Sequence, residues 1–385
     1  MNSPEHTDAL HMEAGATVNY RVQPAPASGS AGAQAPIPHV LGRFRVLGEI
    51  ARGGMGVILR AYDPSLDREL AIKLLSPEIL ADSEAGRRFA QEARVVSHLH
   101  HPGIIPVFDA GTLPDGRSYF AMPFVEGRTL SSLLADRPAW EHGLTGWLRV
   151  FEQVCEIVAH AHQEGVVHRD LKPANVMVGR FGEVMVMDWG VAAMVDTPSQ
   201  PTLAANPGGW VFGTPAYMPP EQARGNGETP DRRSDVFGLG AILCEILTGQ
   251  PPYVGMDAAT VTRMAAEGDQ KDTARRLAER KADPILVHLA RRCMSSDRAE
   301  RPASGAEVAE EVRDYLAKAD RRAHVADKHV LTARERQDRR FVGLLTAVLV
   351  LAVTVALAAS ARGQRAKGTD AARSPQTDRV LTPNQ

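Results

Sequence analysis

The sequence predicts an α+β fold of two lobes, a small antiparallel-sheet lobe followed by a larger, mainly helical one, with one transmembrane helix near the C-terminus. Three observations carry this. Short β-type runs broken by glycines occupy Phe44–Ile50, Val57–Tyr62 and Leu70–Leu75. Beyond Leu144 the apolar residues fall at helical spacing, and Val236–Leu247 is apolar nearly all round, as in a helix buried inside a large domain. Residues 341–361 hold no charge between Arg340 and Arg362, and at about 1.5 Å per residue such a run spans a hydrocarbon core about 30 Å thick.

Taken in order, residues 1–40 are rich in Ala, Pro, Gly and Ser and cannot bury enough surface to offset their ordering entropy, so they read as a flexible arm. They lack the basic start and apolar run of a cleaved signal peptide. In the sheet lobe, Asp63-Pro64-Ser65 marks a turn. A helix is expected over 84–99 with Phe89, Val96 and Leu99 on one stripe, then strands at Ile104–Phe108 and Tyr119–Met122. Phe151, Val154, Cys155 and Val158 form one apolar helix face in the larger lobe. The domain spans 41–317, a basic juxtamembrane segment 318–340, the span 341–361, and a tail 362–385 too short for a folded sensor. With 385 residues and a formal net charge of -2, the chain lacks the basic excess of a nucleic-acid binder. Its 3 cysteines stand far apart without metal-ligand spacing, as buried thiols of a reduced compartment do.

The chemistry begins at Ala51-Arg52-Gly53-Gly54-Met55-Gly56, a glycine-rich turn between strand-like runs. Glycines admit phosphate oxygens to backbone N–H groups, yet many such hairpins are only tight turns; a dinucleotide loop would need a following helix, which Val57–Tyr62 argues against. Leu70-Ala71-Ile72-Lys73 follows on the next strand, and Glu92 on the next helix. Then come His168-Arg169-Asp170-Leu171-Lys172-Pro173-Ala174-Asn175 and Met187-Asp188-Trp189-Gly190. With these motifs in this order, the stretch from about Phe44 to Leu316 resembles the protein kinase family, and in particular the bacterial membrane-anchored, eukaryotic-like serine/threonine kinases.

The resemblance implies a two-lobed kinase fold and the transfer of the ATP γ-phosphate to protein Ser/Thr hydroxyls. Lys73, held by Glu92, would orient the phosphates, and Asp170 would accept the substrate hydroxyl's proton with Lys172 at the γ-phosphate. Asn175 and Asp188 would hold Mg2+ or Mn2+. Ala51, Gly53, Gly56, Ile58, Ala71, Lys73, Met122 and Val125 would line the ATP site. Thr214, in Gly213-Thr214-Pro215, would dock substrate and contact Asp170 and Lys172, while Glu221 would pair with Arg301 and Asp235 would brace the catalytic loop. Four positions depart from the pattern: Ala51 for the first glycine, Trp189 for the usual Phe, Pro123 after the gatekeeper Met122, and Pro219 for alanine. Ala51, Trp189 and Pro123 motivate a pseudokinase scaffold as the rival reading, against which the retained Lys73, Asp170, Asn175 and Asp188 speak. A kinase-fold enzyme acting on a small molecule is a third reading, disfavoured by the docking segment Thr214–Glu221.

Arg169 beside Asp170 implies regulation by a phosphorylated loop residue, and Thr197, Ser199 and Thr202 are the candidates, Thr202 lying nearest the docking segment. The alternative is constitutive activity with Arg169 paired to a carboxylate such as Asp196. The expected partners are protein substrates, a second copy for phosphorylation in trans, and the membrane, but not nucleic acid. The need for ATP places the catalytic part in the cytoplasm, on the inner membrane.

Overall fold

The computed structural model describes residues 37–53, 56–77, 79, 83–136, 143–194, 213–225, 231–280 and 282–370. The chain divides into two units, Met1–Leu316 and Ala317–Gln385.

The first unit opens with β1 (Val40–Leu41), β2 (Phe44–Arg52), β3 (Gly56–Asp63) and β4 (Arg68–Leu75), followed by α1 (Glu84–His98), β5 (Asp109–Thr112) and β6 (Ser118–Pro123). These strands form one sheet in the order β1-β2-β3-β4-β6-β5, every pair antiparallel. Alternation of side chains sends Phe44, Leu59, Leu70, Ile72 and Ala121 into one core. The helix docks across a smaller cluster in which the rings of Phe89 and Phe120 lie 5.0 Å apart. Ser83 caps α1, its hydroxyl accepting from the Gly86 N–H.

The strand expected at Ile104–Phe108 is corrected: pairing begins only at Asp109. Pro106 supplies no N–H to a ladder. Ile104 makes an isolated parallel bridge to Val186, and the Phe108 N–H donates to the Ala121 carbonyl.

A short connection, Phe124–Glu126, leads to β7 (Gly127–Thr129), α2 (Leu130–Asp136), α3 (Leu144–Gln163) and β8 (Val166–Val167). Then follow β9 (Val176–Gly179), β10 (Val184–Val186), β11 (Ala193–Met194), α4 (Pro220–Ala223), α5 (Arg232–Thr248), α6 (Ala258–Glu267), α7 (Lys271–Glu279), α8 (Pro284–Cys293) and α9 (Gly305–Asp370). Two small sheets, β10-β9-β7 and β11-β8, lie within this helical part. Helix α5 is its centre, with Val236, Phe237, Leu239, Ile242, Leu243 and Leu247 all inaccessible. It is capped by the Asp231 carboxylate at its start and ended by Gly249 at φ 81°. The three cysteines are buried and free, and burial pushes the Cys244 thiol up to about 11. The first turns of α9 complete this core through Val308, Val312 and Leu316.

In the second unit α9 carries Gln337–Ala359, a segment of mean hydropathy 2.7 that is long and apolar enough to cross a membrane. Its hydroxyls are satisfied within the helix, Thr346 donating to the Val342 carbonyl and Thr354 to those of Val350 and Leu351.

Candidate active site

The glycine-rich turn closes β2 onto β3, with Ala51 opposite Ile58 and the Gly53 N–H donating to the Gly56 carbonyl at 2.9 Å. A Cβ at Gly56 would stand 2.1 Å from the Leu74 carbonyl oxygen of β4, whereas one at Gly53 would meet nothing within 4 Å. Gly56 is thus dictated by the close approach of a strand, whereas Gly53 leaves open space above its backbone.

Lys73 leaves β4 beside this turn, in register with Ile58 on one side and Phe120 on the other. Its ammonium lies 2.8 and 2.6 Å from the two Glu92 carboxylate oxygens and 3.3 Å from Asp188 Oδ1. Burial alone would depress the Lys73 pKa, but the Glu92 and Asp188 charges outweigh it and hold the amine protonated. Ala71 pairs with Met122, and Val125 sits in the connection between β6 and β7.

Below, Asp235 of α5 organises the loop after β8. Its Oδ2 accepts from the His168 N–H at 2.8 Å and its Oδ1 from the Arg169 N–H at 2.8 Å. His162 of α3 donates through Nε2 to the same carboxylate at 3.0 Å, its Nδ1 accepting from the Gly305 N–H. Burial would raise the Asp235 pKa, yet the His162 hydrogen bond and these other donors hold it below the usual carboxylate range. This clamp tolerates Arg169 at φ 71°, a left-handed backbone uncommon outside glycine.

The next residue, Asp170, is tied down from several sides. Lys172 Nζ donates to Oδ2 at 2.6 Å, the Thr214 N–H to Oδ1 at 2.8 Å, and Asn175 Nδ2 to the main-chain carbonyl at 2.9 Å and to Oδ2 at 3.2 Å. Lys172 also reaches the Thr214 hydroxyl at 2.6 Å. Gly213 reaches this point at φ +108°, and Gln222 donates to the Arg169 carbonyl at 2.8 Å.

Asp188 faces this group with φ 61° and a side chain that is half exposed. The Lys73 charge holds its carboxyl below the usual range. Behind it Trp189 is buried against His168, ring centroids 4.6 Å apart, and donates through Nε1 to the Val186 carbonyl. His168 accepts from the Asp170 N–H at Nδ1 and donates from Nε2 to the Met187 carbonyl. Glu221 meets Arg301 in a two-point pair of 2.8 and 2.9 Å.

The structure therefore brings Lys73, Glu92 and Asp188 together, and Asp170, Lys172, Asn175 and Thr214 together. Thr197, Ser199 and Thr202, with Asp196, Gly54 and Met55, lie outside the described residues. The sequence reading missed His162, Gln222 and the left-handed backbone at Arg169 and Asp188. A histidine on the apolar face of α3, six residues before His168, is the one signal that could have pointed to the first. The donor chemistry fits a divalent cation. Asn175 spends its amide N–H groups on Asp170, so the side-chain atom left to serve a cation is its carbonyl oxygen, a hard donor, and Asp188 is kept ionised by Lys73. Among the described residues no group of three or more His, Cys, Asp or Glu could hold a metal, and a cation that binds one or two carboxylates and substrate phosphates needs none.

The sequence profile of the protein kinase domain matches residues 44–314. The chain belongs to the protein kinase family. Among its relatives are the serine/threonine-protein kinases PknD of Protochlamydia amoebophila, 33% identical over 71% of this chain and 30% of that protein, and pkn3 of Myxococcus xanthus, 37% identical over 68% and 48%. PknB of Mycolicibacterium smegmatis is 38% identical over 63% of this chain and 38% of its own length. The chain thus spans about a third to a half of the length of the relatives it matches. Protein kinases in general use ATP and a divalent metal.

Proposed function

We propose that this chain is a serine/threonine protein kinase of bacterial signalling, held at the inner membrane by residues 341–361 with its two lobes in the cytoplasm. The observation that carries the reading is the Asp170 carboxylate bound by both Lys172 and Thr214, across the cleft from a Lys73 pinned by Glu92. Phosphoryl transfer asks the protein for alignment and charge neutralisation rather than covalent chemistry. Lys73, kept protonated, holds the nucleotide's α- and β-phosphates. Asp170 orients the substrate hydroxyl and receives its proton, and Lys172 balances charge at the transferred group. Ala51, Gly53, Gly56, Ile58, Ala71, Met122 and Val125 line the nucleotide pocket, and Thr214 sits where the substrate chain passes. Asn175 and Asp188 would hold Mg2+ or Mn2+, which would supply positive charge to offset that of the phosphates. Residues 318–340 and 362–385 flank the span, and residues 1–40 precede the catalytic unit. The partners are protein substrates and a second copy of the chain, which phosphorylates Thr197, Ser199 or Thr202 in trans to engage Arg169.

Incubation of the full-length protein with labelled ATP, Mg2+ and a generic protein substrate tests the reading. Labelled phosphoserine or phosphothreonine is expected, lost in Lys73→Ala and Asp188→Asn; equal labelling by either variant overturns it. Phosphate mapping of the active protein tests the loop, and full activity in the triple alanine variant at 197, 199 and 202 removes the self-activation step.

A further inference from the structure

The side chain of Gln91 reaches out of α1 to a residue 101 positions further on, its Nε2 donating to the Ala192 carbonyl at 3.1 Å. Gln91 is the immediate neighbour of Glu92, and Ala192 lies in the turn that leaves Asp188. That turn is otherwise fixed on the far side. The Ala192 N–H donates to the Trp189 carbonyl, Trp189 packs on His168, and Ala193 and Met194 pair with Val167 and Val166. Toward α1 it meets Glu92, whose Oε2 is 3.3 Å from where a Cβ at Gly190 would stand, and it meets Gln91. Glu92 already serves Lys73, so of the two contacts only the Gln91 amide is committed wholly to the turn.

We propose that Gln91 is a positioning residue, a latch that couples the seating of α1, and so the Lys73–Glu92 pair, to the first turn after Asp188. The latch works through a side-chain N–H donor at position 91, whose acceptor is a main-chain carbonyl that substitution cannot remove. With the latch made, a shift of α1 moves the Asp188 turn with it. Without it, a shift of α1 is no longer passed to the turn through this hydrogen bond. The inference rests on the kinase reading for its effect on turnover, but its structural half stands on the contact alone.

Three variants of the full-length chain test it. Gln91→Leu keeps volume and removes the donor; Gln91→Glu keeps shape and offers an acceptor where a donor is needed; Gln91→Lys restores a donor. Losing one hydrogen bond of ordinary strength is expected to lower kcat about three- to tenfold in the Leu and Glu variants, with the KM for ATP within about twofold. The Lys variant should stay within about twofold of the parent. In nucleotide-free protein, hydrogen exchange of a peptide covering Trp189–Met194 should quicken in the Leu variant and not in the Lys variant, with melting temperatures unchanged. Parent-like kcat and exchange in Gln91→Leu overturn the latch, as does equal impairment of Lys and Leu or a loss confined to the KM. If the parent itself transfers no phosphate, the kinase reading fails, and the exchange experiment still decides the latch.

Discussion

Glu221 and Arg301 meet across 80 positions of chain, and they show what a buried charge requires. Arg301 is all but inaccessible, and its guanidinium donates to both Glu221 oxygens and to the carbonyls of Arg233 and Ser295. Burial would raise the Glu221 pKa, but Arg301 outweighs it and holds the carboxyl below its usual value. A carboxylate with a depressed folded pKa contributes stability above its unfolded pKa, and that contribution is lost as pH falls through the folded value. The melting temperature should therefore be flat from neutral pH down to about 5 and fall steeply below about 4.5. Glu221→Gln should cost about 3–5 kcal/mol at pH 7 by stranding a buried cation, and Glu221→Gln with Arg301→Met should recover much of it. Denaturant melts at pH 7 and 4 check both signs. Asp170→Asn keeps size and shape but cannot take a proton, so turnover should drop about 10²- to 10⁴-fold with the melting temperature little changed. Phosphate transfer by that variant at the parent's rate would remove Asp170 from its role.

Among the elements, β3 and β4 press closest where the cleft begins. Gly56→Ala drives a Cβ into the Leu74 carbonyl and should destabilise the small lobe by about 1–3 kcal/mol. Gly53→Ala meets open space and should leave stability within about 1 kcal/mol while weakening nucleotide binding, which a melt and an ATP titration separate. The sequence made these elements legible to different degrees. Short β-type runs broken by glycines located β2, β3 and β4, and the all-round apolar stretch located α5, because burial leaves a pattern in residue type. The same signal misled at Ile104–Phe108: Ile104 is buried as a strand residue would be, yet it is packed in the large core, and the pairing partners of β6 start beyond Pro106. In the site, the charged residues were legible because phosphate chemistry fixes their type. Backbone support was not: the φ of Arg169 and Asp188 and the reach of Gln222 and Gln91 depend on chain segments that meet only after folding.

At the scale of the whole molecule, the core of the first unit ends at Leu316, and the candidate membrane-spanning segment begins at Gln337. A chain stopped after Leu316 retains Val308, Val312 and Leu316 in the core and should be soluble and as active per molecule as the parent. The full-length protein should stay with membranes through carbonate washing; its release by carbonate or salt would remove the spanning role of Gln337–Ala359. The placing of that last core stretch also has a bearing on time. A chain made from its N-terminus cannot seat Arg301 on Glu221 or lay Val308 and Val312 against α5 until those residues have been synthesised, so for most of translation the large lobe is an incomplete box. At about 5–20 residues per second, the stretch from Leu316 to Gln337 takes about 1–4 s to make. Within that window the lobe gains its final wall and the ribosome then produces the segment that insertion machinery would capture. Slowing or lengthening the stretch between them should favour folding of the lobe before capture, and removing it should set the two in competition.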